Sequence, residues 1–85
     1  MKVSKIYAVC KTLNAGSVAD KKYVEECKIQ IGDRFELLNA KVFRWDSIVW
    51  LDGFDKPFNS VFFDYFDEEG DLYNIYQNEE FQAWC

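Results

Sequence analysis

The residues best suited to chemistry are carboxylates that cluster in one stretch of the sequence, namely Asp64, Asp67, Glu68, Glu69 and Asp71. Carboxylates are ligands for calcium, so a calcium-binding loop is the first chemistry to test. If Gly70 were the glycine of an EF-hand loop, the first and last ligand positions would fall on Tyr65 and Tyr76, which carry no carboxylate. This rules out an EF-hand and leaves a looser, unspecific divalent-cation site as the alternative. We predict no metal site here and interpret the stretch as a charged turn.

Catalysis is poorly supported by the residue types present. The 85 residues contain no histidine, which removes the commonest general base and every Ser-His or Cys-His pair. Neither a G-x-S-x-G nor a P-loop pattern occurs. Two carboxylates could form an acid–base pair, but a chain this short has little room for both a core and a ligand pocket. We predict a protein that is not an enzyme and has no cofactor.

Acidic and aromatic residues share the C-terminal half of the chain. Residues 43–85 hold thirteen of the sixteen aromatic residues and ten of the fifteen acidic ones. Phosphate binding needs a continuous basic surface, whereas this chain has a net charge of −5 and scattered lysines. We therefore predict no direct contact with nucleic acid, and instead a protein partner whose surface is basic.

Ordered carboxylates can also occupy a protein site that is meant for nucleic acid. Duplex DNA carries one charge per about 1.7 Å, while a strand with an acid at every second residue carries one per about 6.6 Å. The charge density of a single strand is thus too low, and the fold would have to bring several acidic elements together. Beyond the cluster at residues 64–71, the acids available for this are Asp46, Asp52, Asp55, Glu79 and Glu80. Compact acidic chains are typical of phage accessory proteins, so we predict a phage-type inhibitor or modulator that mimics nucleic acid.

The aromatic residues are more numerous than one small core easily absorbs. Exposed aromatic side chains dominate interface energetics, so we predict partner-binding anchors beside the acidic cluster at Trp50, Phe54 and Phe58. Trp45 and Trp84 add to the surplus. Homodimerisation would also cover it. The alternative function is a structural or oligomerising small β domain whose acidity serves only solubility.

Short runs of strand-forming residues, separated by frequent turns, set the predicted architecture. The strands are residues 3–10, 27–38 (with a turn at 32–33), 42–45 and 48–51, followed by a hairpin of residues 61–66 with 72–76. Residues 39–41 are predicted as a connection, and Gly70 as a turn residue with positive φ. The fold class is mainly β: a small SH3-like barrel or strongly curled antiparallel sheet of five or six strands, with one or two short helices.

For two segments, the sequence pattern does not decide between a helix and a strand. Ser17 followed by Asp20 loosely matches a capping box, which favours a helix at residues 18–27 and hence an α+β alternative. Asn78 could cap another helical turn near residues 78–84.

Length and cysteine content set the remaining expectations. Eighty-five residues predict a single domain, 1–85. An odd set of cysteines without a C-x-x-C pair favours reduced thiols and a cytoplasmic protein, with Cys10 and Cys27 acting as small hydrophobic residues. The apolar stretches are too short to span a membrane, and no membrane partner is predicted.

Overall fold

A computed structural model describes residues 5–44 and 47–82, and its main element is one antiparallel sheet. The sheet order is β4-β3-β2-β1-β5. A single α-helix, α1, connects β1 to β2, and three short 3-10 turns lie in the second half of the described chain. This confirms the predicted mainly β fold with a helix. The elements are β1 Tyr7–Cys10, α1 Val18–Glu26, β2 Arg34–Lys41, β3 Ile48–Leu51, β4 Phe58–Asn59 and β5 Phe63–Phe66, with 3-10 turns at Ser60–Phe62, Ile75–Gln77 and Glu79–Phe81.

The sheet is strongly curled because its two edge strands are almost consecutive in the sequence. β4 and β5 lie at opposite ends of the strand order, yet the 3-10 turn Ser60–Phe62 alone separates them. A 3-10 turn rises only about 2.0 Å per residue, so the two edges must come close together. The backbone N–H of Ser60 donates to the carbonyl of Ser47 (2.9 Å), which holds the turn against the segment before β3.

Helix α1 begins where the sequence places a cap. The Asp20 N–H donates to Ser17 Oγ (3.1 Å), and the Ser17 N–H donates to Asp20 Oδ2 (3.0 Å), which completes the capping box. The helix is fixed to the sheet by the Tyr23 ring, which stacks on Phe58 with ring centroids 4.6 Å apart. The Asn59 side chain also donates to Asp20 Oδ2 (3.1 Å). Local capping therefore resolves the ambiguity at residues 18–27 in favour of a helix.

The buried side chains form one core beneath the sheet, and aromatic rings occupy its centre. Phe58, Phe62 and Phe63 are each at most 2% exposed. Burying such a ring is worth about 1.5–3 kcal/mol relative to exposure, so these three contribute a large share of the stability of a small protein. Both Cys10 and Cys27 are free thiols in or against this core. In the described part of the chain, no helix has the length and apolarity needed to cross a membrane.

The predicted C-terminal hairpin is the main error in the sequence-based fold. β5 pairs with β1 along its whole length. What remains of the hairpin is an isolated bridge between Phe66 and Leu72 with two backbone hydrogen bonds, from Tyr73 N to the Tyr65 carbonyl (2.8 Å) and from Asp67 N to the Asp71 carbonyl (2.9 Å). The two arms are shortened because asparagine side chains start 3-10 turns instead: Asn59 Oδ1 accepts from Val61 N, and Asn74 Oδ1 from Tyr76 N.

Other boundaries also move. Residues 39–41 are part of β2 and not a connection, because a bulge between Leu37 and Asn39 turns Ala40 into the core. Turns occupy residues 27–28 and 31–32, so the predicted strand at 27–31 is wrong, and Val42 makes an isolated bridge with Gln82. Near residue 78 there is a 3-10 turn with Asn78 as its cap. The predictions for residues 1–4, for Trp45 and Asp46 and for Trp84 concern residues outside those that the structure describes.

Candidate protein-interaction surface

The acidic turn after β5 is held in one conformation by its own first carboxylate. Asp67 Oδ1 accepts hydrogen bonds from the backbone N–H groups of Glu69 (2.9 Å) and Asp71 (3.0 Å). The backbone of Asp67 also pairs with the Asp71 carbonyl (2.9 Å) and with the Gly70 N–H (3.1 Å). Gly70 has φ of +90°, as its place in the turn predicts. The turn therefore presents its remaining carboxylates from a fixed backbone.

Negative charge is concentrated at this turn. One carboxylate oxygen each from Asp67, Glu69 and Asp71 lie within 4.8 Å of one another, and Glu68 is exposed beside them. Oxygen ligands of this kind are those that hard cations prefer, but exposed acidic groups are common without a cation, and this arrangement by itself defines no metal site. We use the name acidic patch for Asp64, Asp67, Glu68, Glu69 and Asp71.

Apolar surface lies directly against the acidic patch. Leu72 is 73% exposed and Tyr76 is 44% exposed. A groove of about 310 Å³ runs between β5 and the segment that follows the turn. We call it the β5 groove; its lining includes Lys11, Asp64, Leu72, Tyr73, Asn74 and Tyr76. At its rim the Lys11 ammonium and the Asp64 carboxylate form an ion pair of 3.2 Å.

Hydrogen bonds of the tyrosine hydroxyls fix the wall of the β5 groove. Asn78 Nδ2 donates to the Tyr73 hydroxyl (2.7 Å), and the Tyr76 hydroxyl shares a hydrogen bond of 2.8 Å with Ser60 Oγ. Beneath them, the buried Tyr65 hydroxyl donates to the Ser60 carbonyl (2.9 Å), and burial raises the pKa of this phenol well above its usual range. The groove wall is therefore preformed and not a loose loop.

The outer face of the sheet extends this surface. Tyr7 on β1 lies directly opposite Phe66 on β5, and both are half-buried. The Arg34 guanidinium sits 3.9 Å from the centroid of the Tyr7 ring. On β5, Asp64 and Phe66 are half-buried and alternate with the buried Phe63 and Tyr65.

The aromatic anchors predicted from the sequence lie elsewhere. Phe58 is 1% exposed and packs edge-on against Phe54 (5.1 Å between centroids), so its ring is part of the core and offers no surface to a partner. Phe54 is half-buried and packs against Phe35 (5.3 Å). Trp50 is half-buried on β3, which is separated from β5 by β2 and β1, and the Lys41 ammonium lies 5.8 Å from its ring.

The other acids considered for a mimic are not all gathered with the acidic patch. Asp52 and Asp55 lie between β3 and β4, and Glu79 and Glu80 lie in the last 3-10 turn. Asp46 is outside the described residues.

The predicted site residues do not include Leu72 and Tyr76, because the sequence pattern assigns both to a strand of the hairpin. The signal for Leu72 is its position directly after the acidic run.

A larger depression near α1 has a different character. Its volume is about 470 Å³, and Leu13, Val24 and Ile29 contribute to its apolar lining. Lys21 and Lys28 also line it, but so does Glu25, so its polar lining mixes both signs of charge. Unlike the acidic patch, this depression therefore does not favour a positively or a negatively charged partner.

Over the residues that the structure describes, these features define a small, mainly β protein built on a curled five-stranded antiparallel sheet with one capped helix. The family model described as Bacteriophage T4 protein Y07B matches residues 5–85, and the chain belongs to this family. It is thus a phage-type protein, as its composition predicted. No curated protein and no solved structure matches the chain.

Proposed function

We propose that this phage-family protein is a non-enzymatic interaction module that binds a basic surface of another protein through the acidic patch and the β5 groove. The observation that carries the proposal is the position of Leu72, which is 73% exposed directly beside the carboxylates of the turn. Exposed apolar side chains bordered by charge are typical of protein interaction sites. The partner class that follows from the charge is a protein that normally binds nucleic acid, which this protein would block or modulate.

Two kinds of interaction energy are combined at this surface. Leu72 and Tyr76 supply apolar area that is removed from water when a partner covers it. The carboxylates steer a basic partner during encounter and set its orientation. Because Asp67 fixes the backbone of the turn, little conformational entropy is lost on binding.

Charge density supports mimicry of a nucleic acid at the turn itself. Three carboxylate oxygens within 4.8 Å of one another give a local density of the same order as duplex DNA, which carries one charge per about 1.7 Å of axis. A regular strand could not reach this density. The compact turn that starts at Asp67 does so over a short distance.

The test compares two variants that lose the same charge at different places. One carries Glu68→Gln, Glu69→Gln and Asp71→Asn; the other carries Glu25→Gln, Glu26→Gln and Asp55→Asn. A partner captured from host extracts is purified, and its association rate with each variant is measured at low and physiological salt. We expect neutralisation of the patch to slow association about tenfold at low salt, and the control to change it much less. Duplex DNA should compete for the partner with the wild-type protein.

Equal association rates for the two variants would show that the acidic patch takes no part in the interaction. Asp67 is left unchanged in both variants because its carboxylate shapes the turn. If no partner can be recovered and the charge affects only solubility, the result would support the alternative of a structural module.

A further inference from the structure

We infer that the β5 groove receives an arginine side chain of the partner, and that Lys11 occupies the cation position until the partner displaces it. This inference rests on the proposed function and specifies the chemistry of the same surface. It is carried by the Lys11–Asp64 ion pair, by the two tyrosines that line the groove, and by its volume.

The volume of the groove suits one side chain. At about 310 Å³ it is at the lower end of the range of roughly 300–1,000 Å³ that is typical of ligand pockets. A groove of this size that is open to solvent has room for a single long side chain that reaches from a partner surface.

The ion pair at the rim marks where a positive charge is accepted. Lys11 Nζ lies 3.2 Å from Asp64 Oδ1, and the two side chains are 49% and 45% exposed. An ion pair this exposed contributes little to stability, because water solvates both partners and the lysine loses side-chain entropy. A partner cation can therefore replace Lys11 at small cost, and Lys11 can then turn into solvent.

The groove wall favours arginine over lysine. Tyr73 and Tyr76 line it. The Tyr73 hydroxyl accepts a hydrogen bond from Asn78 Nδ2, and the Tyr76 hydroxyl shares one with Ser60 Oγ, so both rings are held in place. A guanidinium stacks on aromatic rings and can form two parallel hydrogen bonds to a carboxylate, whereas an ammonium acts as a compact, strongly hydrated charge. Asp64 provides that carboxylate.

The experiment measures the affinity of a labelled oligo-arginine peptide, and of an oligo-lysine peptide of equal length, by fluorescence anisotropy. Lys11→Gln is compared with Lys28→Gln, which removes the same charge at a residue that does not line the β5 groove. Asp64→Asn is compared with Asp55→Asn. We expect Lys11→Gln to tighten binding of the arginine peptide about threefold, and Lys28→Gln to change it much less. Asp64→Asn should weaken binding by at least that factor, and Asp55→Asn by less.

Two outcomes would overturn the inference. One is equal affinity for the Lys11→Gln and Lys28→Gln proteins, and the other is equal affinity of the wild-type protein for the arginine and lysine peptides. If either occurs while neutralisation of the acidic patch still slows association with the captured partner, the proposed function stands and the assignment of an arginine to the groove fails. If the patch variants also behave alike, both fail.

Discussion

At the scale of single residues, Asp20 shows how one side chain joins helix and sheet. Its carboxylate accepts from the Ser17 N–H and from the Asn59 side chain on β4. The Ser17 hydrogen bond is the main reason why the pKa of Asp20 lies below its ordinary value, and the Asn59 bond adds to it. Gly16 completes the arrangement, since its φ is +69° and a Cβ there would meet Asp20 Oδ2 at 2.7 Å.

The lowered pKa of Asp20 predicts a pH-dependent contribution to stability. Because the folded protein binds fewer protons at this group than the unfolded chain, the contribution is present at neutral pH and is lost as the pH falls below about 4. Asp20→Asn should therefore lower the free energy of unfolding at neutral pH by roughly 0.3–1 kcal/mol, the range for a carboxylate near a helix N-terminus. Urea unfolding of both proteins should show the difference shrinking in acid. A difference that is constant with pH would contradict this account.

At the scale of elements, the 3-10 turn Ser60–Phe62 allows the sheet to curl. Its carbonyl at Ser60 accepts from the buried Tyr65 hydroxyl at 2.9 Å, and the Phe63 N–H donates to the same carbonyl. Tyr65 thus connects β5 to the turn that brings β4 and β5 together.

Removing the Tyr65 hydroxyl should be measurable in the free energy of unfolding. Tyr65→Phe deletes a buried hydrogen bond and should cost about 1 kcal/mol; the loss is modest because the Ser60 carbonyl keeps its second donor. Tyr23→Phe is the control, since the Tyr23 hydroxyl donates to the Lys56 carbonyl (3.1 Å) at an exposed site. Chemical denaturation should show a clearly smaller effect for Tyr23→Phe. Equal losses would mean that burial of the Tyr65 hydroxyl adds nothing.

Elements with local signals could be predicted from the sequence, whereas strand partners could not. The capping box that starts α1 and the apolar run of β3 are local patterns, and both elements are present. The residues of β5 were recognised as a strand, but alternation along a strand does not specify its partner. Pairing with β1 depends on contacts between residues more than fifty positions apart, such as Ala8 with Tyr65. The bulge in β2 likewise left no local signal.

At the scale of the whole molecule, the predicted carboxylates and the predicted aromatic anchors lie in different parts of the protein. The carboxylates could be located from the sequence because charged turns stay at the surface. The anchors could not, since an aromatic ring such as Phe58 looks the same in the sequence whether it faces the core or a partner. The curled sheet buries Phe58 and leaves Leu72 and Tyr76 outside. Binding to a partner would therefore rest on the β5 edge and not on β3 and the segment before β4.

The most direct test of this claim is to map the bound surface by amide NMR, using the isotope-labelled protein and the purified partner. We predict that signals from residues 64–76 shift or broaden on addition of the partner, because they include the acidic patch and most of the β5 groove. Signals from α1 and from residues 52–55 should stay in place. Shifts confined to α1 or to residues 52–55, with residues 64–76 unchanged, would contradict the account.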